Sequence, residues 1–405
     1  MDETSIQPSP ALDDILAREF PGAANGLYLS SCTRGLLPAS ARDALVQHLE
    51  TRMDGSTDKA GMFETIERVR RNFAALIKAD ADEIAITKNV SEGLSMLANA
   101  LPWQPGDNVV VCLDLEHPNN LYPWYNLRER EGIEVRAIPA QGGHIPADAM
   151  IGAIDDRTRL VTVSTVSFSP GFRTDVAPIG QACRERGIFL LADGVQSVGI
   201  LDMDVDALGI DGLAVSTQKG LLGLYGFGFA YCRREWAEQL KPLYLARFGV
   251  DLGDAHEAAK GTDQYALMPG ARRFDLGNYN YPGAIACEQS LKLILSIGTP
   301  AIEGHVMALS HRLAQGLSDL GLPVAGGEPG PHLGSIVCVG GFGEGGHDST
   351  EDPRMAALYE HLTANGVALT IRQGMLRMAF HVYNTENQVE RVVALCRAFL
   401  AAEET

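Results

Sequence analysis

Seven short apolar runs, set between helical patterns from residue 83 to residue 232, constrain this chain more than any other feature. They cover 83–87, 108–113, 134–139, 160–166, 188–192, 213–216 and 227–232. Several, such as Val109-Val-Val-Cys-Leu113 and Ile188-Phe-Leu-Leu-Ala192, are apolar at alternate and intervening positions alike. Strands of that kind are covered on both faces. Helical stretches at 91–100 and 179–186 lie between the runs. The alternation predicts an α/β fold, with a mostly parallel seven-stranded sheet wrapped by helices. Ligands of such sheets sit at the carboxyl ends of the strands, so polar residues just after each run carry the functional question.

The pattern changes after residue 231. Residues 248–269 read as a loop-rich acidic excursion, followed by helices over 282–296 and 300–320. A smaller α+β unit then runs to a terminal helix over 385–402. The expected organisation is an N-terminal segment (1–30) packing with the small domain, a large domain (31–275) and a small C-terminal domain (276–405). At 405 residues the length suits two or three domains. The seven cysteines are scattered, odd in number and without a Cys-x-x-Cys pair. They read as reduced core residues of a cytoplasmic protein rather than a disulfide framework. No apolar run reaches the roughly 18 residues of a membrane helix, and Met1-Asp-Glu-Thr lacks both parts of a signal peptide. A formal net charge of −18 opposes nucleic-acid binding, which rests on neutralising phosphates.

The fifth and sixth runs end in Asp193 and, a few residues further on, Lys219. A carboxylate at a buried strand end costs several kcal/mol unless it meets a cation. Two readings of the pair follow: an ordinary strand-end salt bridge, or a site for pyridoxal 5'-phosphate (PLP). PLP needs a lysine for a Schiff base and a carboxylate to keep its pyridine nitrogen protonated. The other strand ends favour the second. After the first run, Asn89-Val90-Ser91-Glu92-Gly93 opens a helix with a serine at its start, which suits a phosphate as well as a plain N-cap. After the second comes His117, a ring able to stack on a flat cofactor or an incidental loop histidine. Gln196, Ser216 and Gln218 flank the acid and the amine, and glycines in Leu221-Leu-Gly223-Leu-Tyr-Gly226-Phe-Gly228 allow close backbone passage under the lysine. Each feature alone is weak; five strand ends together form a specific set.

On these residues the chain resembles fold-type I PLP enzymes of the class V aminotransferase group, which includes cysteine desulfurases, isopenicillin N epimerase-like proteins and kynureninase. The resemblance runs from Tyr28-Leu-Ser-Ser to Tyr383-Asn-Thr-Glu386. It implies that Lys219 holds PLP, Asp193 pairs with the pyridinium, Gln196 contacts the ring hydroxyl and His117 stacks on the ring. It assigns the phosphate to Ser91, Ser216 and Gln218, with Val90 among the cofactor-binding residues. Asn278, in Arg273-Phe-Asp-Leu-Gly277-Asn278, would reach the phosphate of a partner subunit, which implies a homodimer with shared active sites. Arg377 would grip the α-carboxylate of an amino-acid substrate, and Arg34 lies in an N-terminal loop that borders such pockets.

Departures from the group sharpen the expectation. Gln218 stands where histidine is usual, and Ser167-Phe168 replaces a common Ser-Asn. The cysteine-bearing loop of desulfurases is missing from Arg372-Gln-Gly374-Met-Leu-Arg377, and Cys338 alternates like a core strand residue. A persulfide-forming desulfurase is therefore not expected. The leading expectation is an aminotransferase acting on an amino acid joined to PLP through its amine. The alternatives are a β-lyase cleaving a C–S or similar bond, and an amino-acid epimerase. A non-enzymatic scaffold is opposed by the intact Lys219–Asp193 pair. Gly341-Phe-Gly343-Glu-Gly-Gly346 fits a dinucleotide fingerprint, but no helix is expected at its end, so it reads as a loop. His305 and His311, six apart on one helix, do not share a face, and no metal site is expected.

Overall fold

The computed structural model describes residues 10–23, 26–253, 264–343 and 345–403. All seven expected runs form strands of one sheet. They are β1 (Ile84–Thr87), β2 (Asn108–Val111), β3 (Glu134–Ala137), β4 (Thr158–Ser164), β5 (Phe189–Asp193), β6 (Gly212–Ser216) and β7 (Gly228–Cys232). Their spatial order is β1-β7-β6-β5-β4-β2-β3. Only β7 runs against the rest, antiparallel to both β1 and β6. Alternation along the strands divides the core in two. Leu190, Ala192, Leu213, Val215 and Phe229 join one apolar cluster, while Phe189, Leu191, Ala214 and Ala230 join the other.

Helices cover both faces. Those that bear on the site include α1 (Ala39–Asp54), α2 (Lys59–Ile77) and α3 (Val90–Ala100). Further along the chain are α4 (Val176–Arg186), α5 (Tyr281–Ile297) and α6 (Thr299–Ser318). The last two are α7 (Pro353–Ala364) and α8 (Glu386–Glu403). Helix α5 packs against α1 and α2. One expectation at α3 is corrected. The helix begins at Val90, and its cap is Asn89, whose side chain accepts from Glu92 N at 2.9 Å. The amide oxygen of Asn89 reaches the orphan donor, so Ser91 lies inside the first turn and is left for other work. Gly93 lets this helix press on the sheet: a Cβ there would lie 2.9 Å from that of Ala214 on β6.

A second, antiparallel sheet has the order β8 (Ile336–Val339), β10 (Met375–Ala379), β9 (Thr370–Arg372). Gln373 and Gly374 join β9 to β10 in a two-residue turn, with φ values of 49° and 85°. Positive φ at both positions is what a tight hairpin of this hand requires. The N-terminal segment joins this unit: Leu27–Tyr28 pairs in parallel with Val367–Ala368, and Ser30 bridges to Ala379. In the acidic excursion, Val250–Asp251 pairs with Ala266–Leu267, and residues 254–263 lie outside the described residues. No helix opens after Gly346; α7 begins at Pro353. All seven cysteines are free and buried. No single helix among the described residues is long and apolar enough to cross a membrane.

A buried ion pair locks α2 to β1. Arg70 Nη2 donates to Asp275 Oδ2 at 2.6 Å, and Arg70 Nη1 donates to the carbonyl of Ile84. Asp275 also accepts from Ile86 N at 2.9 Å and from Tyr279 Oη at 2.8 Å. Removing one partner strands the other charge in the core. Arg70→Ala should therefore lower stability by about 3–5 kcal/mol, and Arg70→Met with Asp275→Leu should recover most of it. Urea unfolding of the cofactor-free chain checks this; an unchanged midpoint in Arg70→Ala would refute the role assigned to the pair.

Candidate active site

The carboxyl ends of β1, β2, β4, β5 and β6 open onto one cavity of about 320 Å³. Val90 and Ser91 reach it from the start of α3, His117 from the loop after β2, and Phe168 from the loop after β4. Asp193 ends β5, with Gln196 just beyond; Ser216 ends β6 and is followed by Gln218 and Lys219. The small sheet contributes Arg377 from β10 and Arg372 from β9.

One end of the cavity is built from α3. Val90 N donates to Ser216 Oγ at 2.7 Å, which leaves that hydroxyl its own hydrogen to donate. Ser91 lines the same wall, one residue into a helix N-terminus where backbone N–H groups favour an anion. Gln196 Nε2 donates to the carbonyl of Cys32 at 3.1 Å. His117 Nδ1 accepts from Asn119 N at 3.2 Å, so in the neutral ring the proton is on Nε2. Burial, with the positive charges of Lys219, His347, Arg372 and Arg377, pushes His117 down to about 4. At neutral pH it is an uncharged ring, with the edge of Phe168 at 5.3 Å.

Backbone approach fixes the lysine. Gly35 N donates to the carbonyl of Gln218 at 2.8 Å, and a Cβ on Gly35 would lie 2.5 Å from the carbonyl oxygen of Lys219. From the small unit, His381 Nε2 donates to the carbonyl of Gly220 at 2.9 Å, while its Nδ1 accepts from Val382 N. Arg377 is buried and held by two partners. Its Nη1 donates to the carbonyl of Phe168 at 2.5 Å, and its Nε and Nη2 donate to Thr370 Oγ1 at 3.3 and 3.2 Å. Each terminal nitrogen keeps a second hydrogen for a carboxylate.

The deciding geometry is what Asp193 and Lys219 do not do. Asp193 Oδ1 accepts from Val195 N at 2.9 Å, and Oδ2 has no partner among the described residues. Lys219 Nζ has neither a hydrogen bond nor an ion pair among them, although it feels the charge of Asp193. The strand-end salt bridge is not formed. Burial pushes Asp193 up to about 6, and burial also holds the Lys219 amine below its usual range. Each group waits for a partner that the cavity must supply. The donor set fits PLP: an amine for its aldehyde, an acid for its ring nitrogen, and hydroxyls at a helix N-terminus for its phosphate.

The chain belongs to the aminotransferase class-V family. That family matches residues 47–392. A probable cysteine desulfurase of Methanothermobacter thermautotrophicus is 32% identical over 80% of this chain and 81% of its own length. The uncharacterized aminotransferase YcbU of Bacillus subtilis is 29% identical over 92% of this chain and 94% of its own. The apo structure of a cysteine desulfurase from Thermococcus onnurineus NA1 superposes with a TM-score of 0.82. It is 25% identical, over 98% of this chain and 99% of that one. The protein is a PLP-dependent enzyme of the transferase or lyase kind, on the fold-type I architecture.

Two expected residues stay out of the cavity of this class V chain. Arg34 has an exposed side chain; its neighbours Cys32 and Thr33 line the wall instead. Asn278, at φ 47°, lines an adjoining cavity of about 790 Å³ that shares Asn89 and Ser91 with the first. Sequence reasoning missed Tyr225, His347 and Arg372. Arg372 stood five residues before Arg377 in an inspected motif, whereas nothing in the sequence signalled His347. It also passed over Glu116, which accepts from Ser164 N at 2.5 Å, Ser164 Oγ at 2.6 Å and Asn120 Nδ2 at 2.8 Å. Burial, against those hydrogen bonds, pushes it up to about 7.

The raised Asp193 gives a signed prediction. An acid whose folded pKa lies above its unfolded one holds more protons when folded, so its contribution to stability falls as pH rises between the two values. From the ordinary 3.8 to about 6 the loss is on the order of 3 kcal/mol. The stability difference between the cofactor-free wild type and Asp193→Asn should therefore shift against the wild type from pH 4 to pH 6.5. A difference that is flat across that range contradicts the burial of an unpaired acid.

Proposed function

We propose that the chain binds PLP at this cavity and transfers the amino group of an amino acid. The separated Lys219 amine and Asp193 carboxylate, facing one cavity with no ion-pair partner among the described residues, carry the reading. PLP, when bound, supplies an aldehyde that captures an amine and a ring that takes up electron density from Cα. The chain's own residues do the rest. The α-carboxylate is held by the second hydrogens of Arg377 Nη1 and Nη2, a planar fork already oriented by Thr370 and Phe168. Lys219 Nζ, its affinity for protons lowered by burial, is the base that takes and returns the Cα proton. Asp193 would keep the ring nitrogen protonated, His117 and Gln196 would hold the ring, and Val90, Ser91, Ser216 and Gln218 would hold the phosphate.

A second reading is β-elimination across a C–S bond, supported by the desulfurase names of several relatives. Persulfide formation is disfavoured. The hairpin between Arg372 and Arg377 has no cysteine, and Cys338 is buried in β8 with its thiol pushed up to about 12 by burial. We further infer a homodimer. The adjoining cavity meets the phosphate end and has an apolar rim, with Tyr244, Leu243 and Leu276 exposed, which suits the approach of Asn278 from a second copy. Seven unbridged cysteines suit a reducing cytoplasm. The chain divides into an N-terminal segment (1–30), a large domain (31–275) and a small C-terminal domain (276–405), with α5 packed back on α1 and α2.

Purified protein should be yellow, and Lys219→Ala should lose both the visible band and, by about 10²-fold or more, exchange of the substrate Cα proton. In a single turnover, an amino acid should convert the cofactor to its pyridoxamine form with release of the oxo acid. Release of pyruvate and ammonia would select the lyase; a colourless protein that takes up no PLP would reject the assignment.

A further inference from the structure

Arg372 lines the active cavity and is not needed for anything assigned above. Its Nη1 donates to the carbonyl of His347 at 3.2 Å and to the carbonyl of Ile371 at 2.7 Å, and it also meets the carboxylate of Asp348. None of the described residues accepts from its Nε or Nη2. Those two nitrogens form one edge of the guanidinium, with two parallel N–H groups matched to a carboxylate. Asp348 does not cancel the charge, because it is 73% exposed while the Arg372 side chain is 15% exposed. An exposed partner of that kind is largely screened by water.

The hairpin sets the spacing of the two arginines. Arg377 is paired with Thr370, and Arg372 lies two residues along the same strand. Thr370 and Arg372 therefore share a face, and Arg372 is the diagonal neighbour of Arg377, about 7–8 Å away across the ladder. Two arginines on one face of the hairpin, both lining the cavity, bracket a short chain with an acid at each end. The α-carboxylate has its own fork at Arg377, which leaves the Nε–Nη2 edge of Arg372 for a second acid. Both arginines line the cavity together with His117, and both contribute to the positive field that it feels.

We propose that Arg372 recognises a side-chain carboxylate, so that the preferred substrates are dicarboxylic amino acids. This rests on the PLP reading of the cavity. Binding of succinate and butyrate to the PLP-loaded protein, followed by isothermal titration calorimetry, tests it, because these four-carbon acids differ by one carboxylate. Succinate should bind about tenfold or more tightly than butyrate, the effect of one set of charge-assisted hydrogen bonds. Arg372→Met should bring the two within about twofold. Equal affinities in the wild type, or a tenfold gap that survives in Arg372→Met, would overturn the proposal. Loss of both ligands together in Arg372→Met would also overturn it, by assigning Arg372 to the α-carboxylate. Cofactor absorbance recorded on each sample separates these failures from the other: a chain that never binds PLP contradicts the parent reading first.

Discussion

The amine of Lys219 and the carboxylate of Asp193 share a cavity without meeting, and the rest of the site is arranged around that separation. Asp193 closes a strand and is pinned by Val195 N; Lys219 stands five residues past Ala214, the strand partner of Asp193. The lysine's loop is held by Gly35 on one side and by the Gly220–His381 contact on the other. Burial drives both groups toward neutrality, so the cofactor-free site stores an unfavourable arrangement. A ligand with a cationic ring nitrogen and an aldehyde relieves it at both ends. This is why the pair reads as chemistry rather than as a structural salt bridge.

Geometry around the pair follows from the sheet. Parallel strands deliver their carboxyl ends to one edge, and the single antiparallel strand, β7, returns the chain so that Tyr225 reaches the same edge. The second sheet lies over this edge with Arg377 and Arg372 on one hairpin, whose two-residue turn leaves no length for a mobile catalytic cysteine. Relatives that carry desulfurase names share the scaffold. The shortness of this hairpin is what turns our proposal toward amino-group transfer.

Much of this was legible in the sequence because buried parallel strands leave an unmistakable apolar record. The seven runs placed the sheet, and the polar residues at their ends named seven of the residues that line the cavity: Ser91, His117, Asp193, Gln196, Ser216, Gln218 and Lys219. Misses have physical causes. Asn89 and Ser91 are both good caps, and only the fold shows which amide N–H lies in reach. Arg34 and Cys32 are two positions apart on a loop, where no periodicity says which side chain turns inward. Arg372 and His347 are brought to the cavity by tertiary packing of a hairpin and a loop, with no local pattern to announce it. Asn278 was expected to act across an interface, and a single chain leaves it beside the neighbouring cavity.

The central claim is that Lys219 is the residue that bonds the cofactor. Borohydride reduction of the PLP-loaded protein, followed by proteolysis and peptide mass spectrometry, measures it directly. The account predicts a phosphopyridoxyl group on the peptide containing Lys219, at one per chain, and none in protein reduced without PLP. A label on another lysine, or none at all, would contradict it.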